Sequence, residues 1–443
     1  MQEQQKGLSR LAELACEHAK KKGAQNAAAS GALSRSFKLK LRDGKKEEVK
    51  ASTSRSLTLR LFVDGRYGSH TTSILDDKAL LAFIDDAIEM TRMLSPDPHR
   101  GLAEAKLYAE RPTGDLHLFD PAQSQVTMDQ RYQRALAAHD AARAAAGDKL
   151  LSVQAGVFDS SSLRILRTTN GFSDAERSTA FGQWAMVSVR DKSERRPSDW
   201  QQNMSRSLAQ LGAPEDTGKG AAARALGSIG ADRLPSQKLP LLVENRAVSR
   251  LLNGLLAPLY GSALDQRSSC FEKSAGKQVA SPLLSLTDDP ALTAGWRSRR
   301  FDDEGISAKK RAIVEKGILK SFFLDTYYAR KLKQAPTSGG PSNLVFAHGD
   351  KTLEALVQSL DKAILVTSFL GGNSNSTTGD FSHGIQGFFI EKGKRAKPIA
   401  AMNIASNHMR FWRDLQAVGN DPYLYSSKRT PSLLFAPMMV AGV

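Results

Sequence analysis

Phe37-Lys38-Leu39-Lys40-Leu41-Arg42-Asp43-Gly44-Lys45-Lys46-Glu47-Glu48 alternates apolar and charged side chains up to Leu41, turns at Asp43-Gly44 and runs back towards Ala51. Period two followed by Asp-Gly is a hairpin signal, because a tight two-residue turn needs positive φ at both positions. Leu57, Leu59, Leu61 and Val63 then alternate with Ser56, Thr58, Arg60 and Phe62, which predicts a strand with one buried face before Asp64-Gly65 turns the chain again. Helical patterns flank this β unit. Leu8, Leu11, Leu14 and Ala15 predict an amphipathic helix over 6–22, and Leu80, Ile84, Ala87 and Ile88 another over 76–94, stopped by Ser95-Pro96-Asp97-Pro98. Thr127 to Ala146 reads as an alanine-rich helix ended by Gly147.

From Leu150 the period returns to two. Leu151, Val153, Ala155 and Val157 predict one strand, Leu163 to Arg167 a second, and Phe181 to Arg190 a third beyond the Asn170-Gly171 turn. Residues 191–238 are rich in Ser, Arg, Gln, Ala and Gly and predict a single helix at 218–228. Apolar strands resume at Leu239, and the rest alternates short strands with Gly and Asp turns. The fold class expected is α+β: an α/β sandwich-like domain over 1–235, then a β-rich domain over 236–443.

Bulk properties narrow the function. No apolar leader is visible near Met1, and the most apolar stretch, Leu433 to Val443, is too short to span a bilayer, so a cytoplasmic protein without a membrane partner is expected. Cys16 and Cys270 are the two cysteines and lie far apart, which leaves no disulfide framework or CxxC metal site. The net charge of +16 raises the question of nucleic acid. The basic clusters are scattered among acids and glycines, however, and 7% aromatic residues supply no stacking series, so nucleic-acid binding is disfavoured. Weak attraction to acidic peptides stays open.

An ordered string in the last third carries more specific information: Thr378-Gly379-Asp380-Phe381-Ser382-His383-Gly384, Gly387-Phe388-Phe389-Ile390-Glu391, Val418-Gly419-Asn420-Asp421 and Met439-Val440-Ala441-Gly442. Arg42 to Glu48, Leu59 to Gly68, Asp288-Asp289-Pro290, Phe301 to Gly305 and Glu315 to Lys320 precede it at family-like spacings. The chain thereby resembles the TldD/PmbA family, described as modulators of DNA gyrase and as metalloprotease components. That resemblance implies a soluble peptide-handling subunit, in a heterodimer with a zinc-bearing TldD-like partner or in a homodimer. It also implies unfolded peptide as substrate, held by strand addition.

One family motif is missing. H-E-x-x-x-H, the zinc signature of the TldD type, occurs nowhere in the 443 residues. Zinc hydrolysis needs imidazoles to hold the ion and a carboxylate to take a proton from its water. The motif positions fall at Leu252, Asn253 and Ala257, and Asn245 to Tyr260 contains neither His nor Glu. The cysteine the resemblance places after the Gly-Asn-Asp segment is absent too. Val248, Leu251, Leu252, Leu255, Leu256 and Leu259 form an aliphatic stripe, read as occupying the helix face that would hold metal. No metal or other cofactor is therefore expected, and a TldE/PmbA-type subunit without its own activity is the leading reading.

The remaining candidates are these. Thr378, Gly379, Asp380, Ser382 and Asn420 are the expected substrate-cleft residues, because the matched motifs cluster there. Gly371 to Asp380 is a loop able to offer N–H groups to an anion. A Ser382–His383 catalytic pair is disfavoured, since strand neighbours face opposite sides. Asp288, Asp289, Asp302, Asp303 and Glu304 could hold a hard cation, but pairing with Arg297, Arg299 and Arg300 is the simpler account. A metal site joining distant histidines, such as His348 with His383, stays open. So do a homodimeric peptide-binding scaffold and a DNA- or gyrase-associated modulator.

Overall fold

The computed structural model describes residues 2–442, so Met1 and Val443 lie outside it. The first half is one six-stranded antiparallel sheet: β1 (Asn26–Arg42), β2 (Lys45–Val63), β3 (Arg66–Thr72), β4 (Leu150–Thr168), β5 (Ser173–Val189) and β6 (Ser198–Ser205), in the order β3-β2-β1-β4-β5-β6. Asp43 and Gly44 adopt φ of 48° and 78°, as the Asp-Gly turn requires. The strands are longer than the local patterns predict. β2 runs unbroken through Ser52 to Ser56, and β4 joins the two strands expected around Ser160 to Ser162. Those serine-rich stretches carry no apolar alternation, yet pairing with β1 on both sides keeps them extended.

All four helices of this half cover one face. α1 (Gln2–Lys21) and α2 (Asp77–Arg92) pack on Leu57, Leu59, Leu61, Leu163 and Ile165. α3 (Met128–Ala146) and α4 (Pro214–Gly227) pack alanine to alanine over Val153, Ala155, Ala185 and Val187. Thr127 caps α3 through a reciprocal box with Gln130, and Gly147 ends it. β6 was not visible in the sequence, because Ser198 to Ser205 is a polar edge strand.

The second half supplies β7 (Gln237–Val243), α5 (Asn245–Leu256), and the short strands β8 (Leu286–Asp288), β9 (Arg311–Glu315), β10 (Ile318–Leu319) and β11 (Leu344–Phe346). β12 (Lys362–Phe369), β13 (Asn373–Ser374), β14 (Asp380–Glu391) and β15 (Lys394–Asn407) follow, then β16 (Leu415–Val418), β17 (Lys428–Arg429) and β18 (Leu433–Ala441). The path β12-β7-β18-β15-β14 is closed by β12–β14 pairing into a barrel, while β10-β9-β8-β11-β17 form a separate small sheet. The architecture is α+β with a strand-rich second half. Among the described residues no helix is long and apolar enough to cross a membrane.

The halves meet on the helix-free face of the first sheet. Ala28 and Leu166 pack there with Phe172, Phe301 and Ile306. Arg164 pairs with Asp303 at 2.8 Å, and Arg60 donates to the Asp303 carbonyl at 2.7 Å.

Candidate functional site

α5 is the element around which the matched segments converge. Its start is docked onto the segment 419–432: the Asn245 amide donates to the Asp421 carbonyl at 2.7 Å, and Thr430 Oγ1 donates to the Asn245 carbonyl at 2.8 Å. Asp421 accepts from the Ser432 backbone at 2.9 Å and hydroxyl at 2.7 Å, which ties this segment to the start of β18. Halfway along, Arg250 donates to the Gly372 carbonyl at 2.6 Å, joining α5 to the loop 371–380.

The aliphatic stripe does not occupy an open site. Val248, Leu251, Leu252, Leu255, Leu256 and Leu259 are all buried and face the barrel core. The open side presents Arg250, Asn253 and Ala257 instead. Of the three motif positions, only Leu252 is hydrocarbon in the core. The amide oxygen of Asn253 accepts from the Lys428 ammonium, reaching over from β17. A cation already seated on that oxygen opposes a metal ion there, and Leu252 and Ala257 offer no donor, so these residues do not fit zinc.

The cleft candidates fall into two places. Thr378, Gly379, Asp380 and Ser382 lie together at the start of β14. Asn407 holds them: its amide donates to the Thr378 carbonyl and to Asp380 Oδ1, both at 2.8 Å, while Ser382 meets Asn403 at 3.2 Å. The Asn407 bond and the Thr378 contact keep the Asp380 carboxyl below its usual range. Asn420 is elsewhere, donating to the carbonyls of Asp350 at 3.0 Å and Lys351 at 2.9 Å. Thr377 to Asp380 form no anion cradle, because their N–H groups bond within the loop itself. Ser382 is exposed and His383 buried on the opposite face of β14, so they form no catalytic pair.

Sequence reasoning missed the partner of His383. His348 is exposed and apart, whereas His383 and His408 flank the Phe381 ring at centroid distances of 5.4 and 4.6 Å. His408 accepts from Trp412 Nε1 at Nδ1 (3.2 Å), so its proton sits on Nε2, facing the Ser374 hydroxyl at 3.1 Å. Burial, with repulsion from His383 behind it, pushes the His408 pKa down to about 4. Local spacing could not have shown this pairing, because β14 and the turn after β15 meet only through the sheet.

Three of the five acids in the acidic cluster form ion pairs, with partners other than the neighbouring arginines. Asp288 pairs with Arg311 at 3.1 Å, Asp289 with Lys310 at 2.8 Å and Asp303 with Arg164. Asp302 and Glu304 bond backbone amides and the Thr326 side chain, and burial raises both pKa values. Among the described residues, no group of three or more His, Cys, Asp or Glu is disposed to hold a metal ion. Burial raises both Cys16 and Cys270 to about 11, which marks inert thiols.

A one-sheet helical half joined to a strand barrel, with the matched segments gathered on α5, is an architecture this chain shares with a metallopeptidase-related family. The profile of the PmbA/TldA metallopeptidase C-terminal domain matches residues 236–442, and that of domain 1 matches 33–91. A candidate modulator of DNA gyrase from Bacteroides thetaiotaomicron superposes with a TM-score of 0.95 at 37% identity, over 98% of each chain. The chain belongs to the PmbA/TldD family. Metalloprotease PmbA of Escherichia coli O157:H7 is 29% identical over 405 residues, covering 90% of this chain and 89% of the relative. TldE from Thermococcus kodakarensis shares the fold, with a TM-score of 0.88 at 20% identity, over 98% of this chain and 100% of its own.

Proposed function

We propose that this chain is a non-catalytic TldE/PmbA-type subunit, cytoplasmic, which pairs with a zinc-bearing TldD-like subunit and helps it hold unfolded peptide or small proteins. The observation that carries this reading is the open side of α5. Where the zinc type places two imidazoles and a carboxylate, this chain has Leu252 turned into the core, Asn253 under a lysine ammonium, and Ala257. Thr378, Gly379, Asp380, Ser382 and Asn420 are the proposed cleft residues, in two patches linked to α5 through Gly372 and Asp421. Barrel closure leaves β13 as the short free edge at this loop, so strand addition by a peptide is proposed there. A division into 1–235 and 236–443 is part of the same reading, supported by the change of sheet at β7.

The expected result is that purified protein carries no stoichiometric zinc and cleaves no unfolded peptide, and that co-expression with a zinc-bearing paralogue yields a stable pair with chelator-sensitive activity. About one tightly bound zinc per chain with cleavage by the chain alone overturns the reading. A stable homodimer that ignores the paralogue favours a scaffold acting alone.

A further inference from the structure

The open side of α5 is bordered by positive charge without an ion-pair partner among the described residues. Arg250, Arg297 and Lys428 form no ion pair among the described residues. Asp199 and Glu244 pair with Arg224, while Asp380 and Asp421 are hydrogen-bonded by Asn407 and Ser432, and none of the four forms an ion pair with Arg250, Arg297 or Lys428. Lys428 is half-buried, and both its burial and the Arg297 guanidinium push its pKa down. An ammonium in that setting gains from an anion far more than one in open water does.

The neighbours decide which anion suits the place. The N–H groups of Asn375 and of Thr377 to Asp380 bond within the loop, so that stretch offers a phosphate no backbone cradle. Apolar surface is available instead: Leu424 is 53% exposed, and Trp200 is 41% exposed with Arg246 stacked on it at 4.3 Å. A carboxylate borne on a chain with apolar groups matches that mixture. We propose that Lys428 on Asn253, with Arg250 one turn earlier on the same helix side, is an anion subsite that takes a carboxylate of an extended peptide. The site rests on the peptide-holding reading above and narrows it to acidic side chains or free carboxyl termini. Lys428 thus places a positive charge over the motif position where the zinc type carries its carboxylate.

The test is fluorescence anisotropy on the full chain with three labelled unstructured peptides. One carries Asp residues and an amidated end, one Asn residues and a free carboxyl end, and one Asn residues and an amidated end. At least one acidic arm is expected to bind about tenfold more tightly than the neutral peptide, and the arm that does so identifies the carboxylate. Lys428→Gln should bring the acidic peptides down to the affinity of the neutral one, while Lys428→Arg retains part of the preference. Arg250→Gln, at an exposed helix position, gives the same readout should Lys428→Gln fold poorly. Equal binding of all three peptides, or binding of none, overturns the subsite. So does an equal loss in Lys50→Gln, which removes the same charge from exposed β2 surface. Zinc and cleavage in the isolated chain would defeat the subunit reading while leaving this preference intact; loss of the preference alone leaves that reading standing.

Discussion

His408 shows how far one side chain can be read. It is 1% exposed, accepts from Trp412 at Nδ1 and has its pKa pushed down to about 4, against an ordinary 6.5. The folded chain resists a proton that the unfolded chain takes up below pH 6.5. Stability is therefore complete above that pH and is lost progressively as pH falls towards 4, by roughly 3 kcal/mol for this group. His383 is the titratable group that bears on it and opposes its protonation, while Arg250 opposes protonation of His383 itself. In urea unfolding, His408→Gln should be less stable than the parent at pH 7, with the gap narrowing by pH 4.5. A gap of constant size would show that the imidazole's charge is irrelevant. At this scale the sequence was only partly legible: it showed that H-E-x-x-x-H is absent, but not that Lys428 sits over Asn253, a contact between residues 175 apart.

Gly254 makes the equivalent point for an element. α5 would gain about 1 kcal/mol of helix propensity from alanine at this interior position. A Cβ there would, however, meet His408 Nε2 at 2.0 Å and Cε1 at 2.4 Å, and the ring is pinned between Trp412 and Ser374. Overpacking of that kind costs about 1–3 kcal/mol, so Gly254→Ala should be net destabilising in thermal or chemical unfolding. Combining it with His408→Ala should relieve the added cost, and strict additivity of the two changes would exclude the contact. Elements were legible where local chemistry specifies them. Asp43-Gly44, Asp64-Gly65 and Asn170-Gly171 all mark real turns, and the aliphatic stripe of α5 marks a real helix. Which side of that helix is open was not legible, since an apolar stripe names the buried face and says nothing of what lies over the other. Strand length, β6 and barrel closure were hidden too, because they depend on pairing between distant segments, β7 beside β12 above all.

For the whole molecule, Arg224 is the residue on which the two halves depend at the site. It projects from α4, is four-fifths buried, donates to both oxygens of Glu244 at 2.8 Å, and reaches Asp199 on β6 at 3.2 Å. Those carboxylates lift the guanidinium's pKa against burial. Glu244 is the last residue before α5, so the fork joins the helical sheet of the first half to the helix that carries the open face. Breaking one member of such a pair leaves the other charge partly buried and unmatched, which costs about 3 kcal/mol. Glu244→Gln and Arg224→Met should each destabilise by that order, whereas Arg224→Met with Glu244→Met should cost clearly less than their sum. Hydrogen exchange adds a local readout. The amides of Asn245 to Leu256 should lose protection in Arg224→Met before those of β1 and β4, because the anchor removed is an ion pair at the base of α5. Uniform loss of protection across both sheets would mean that Arg224 supports general stability, and that the aliphatic face and the other anchors of α5 hold it in place.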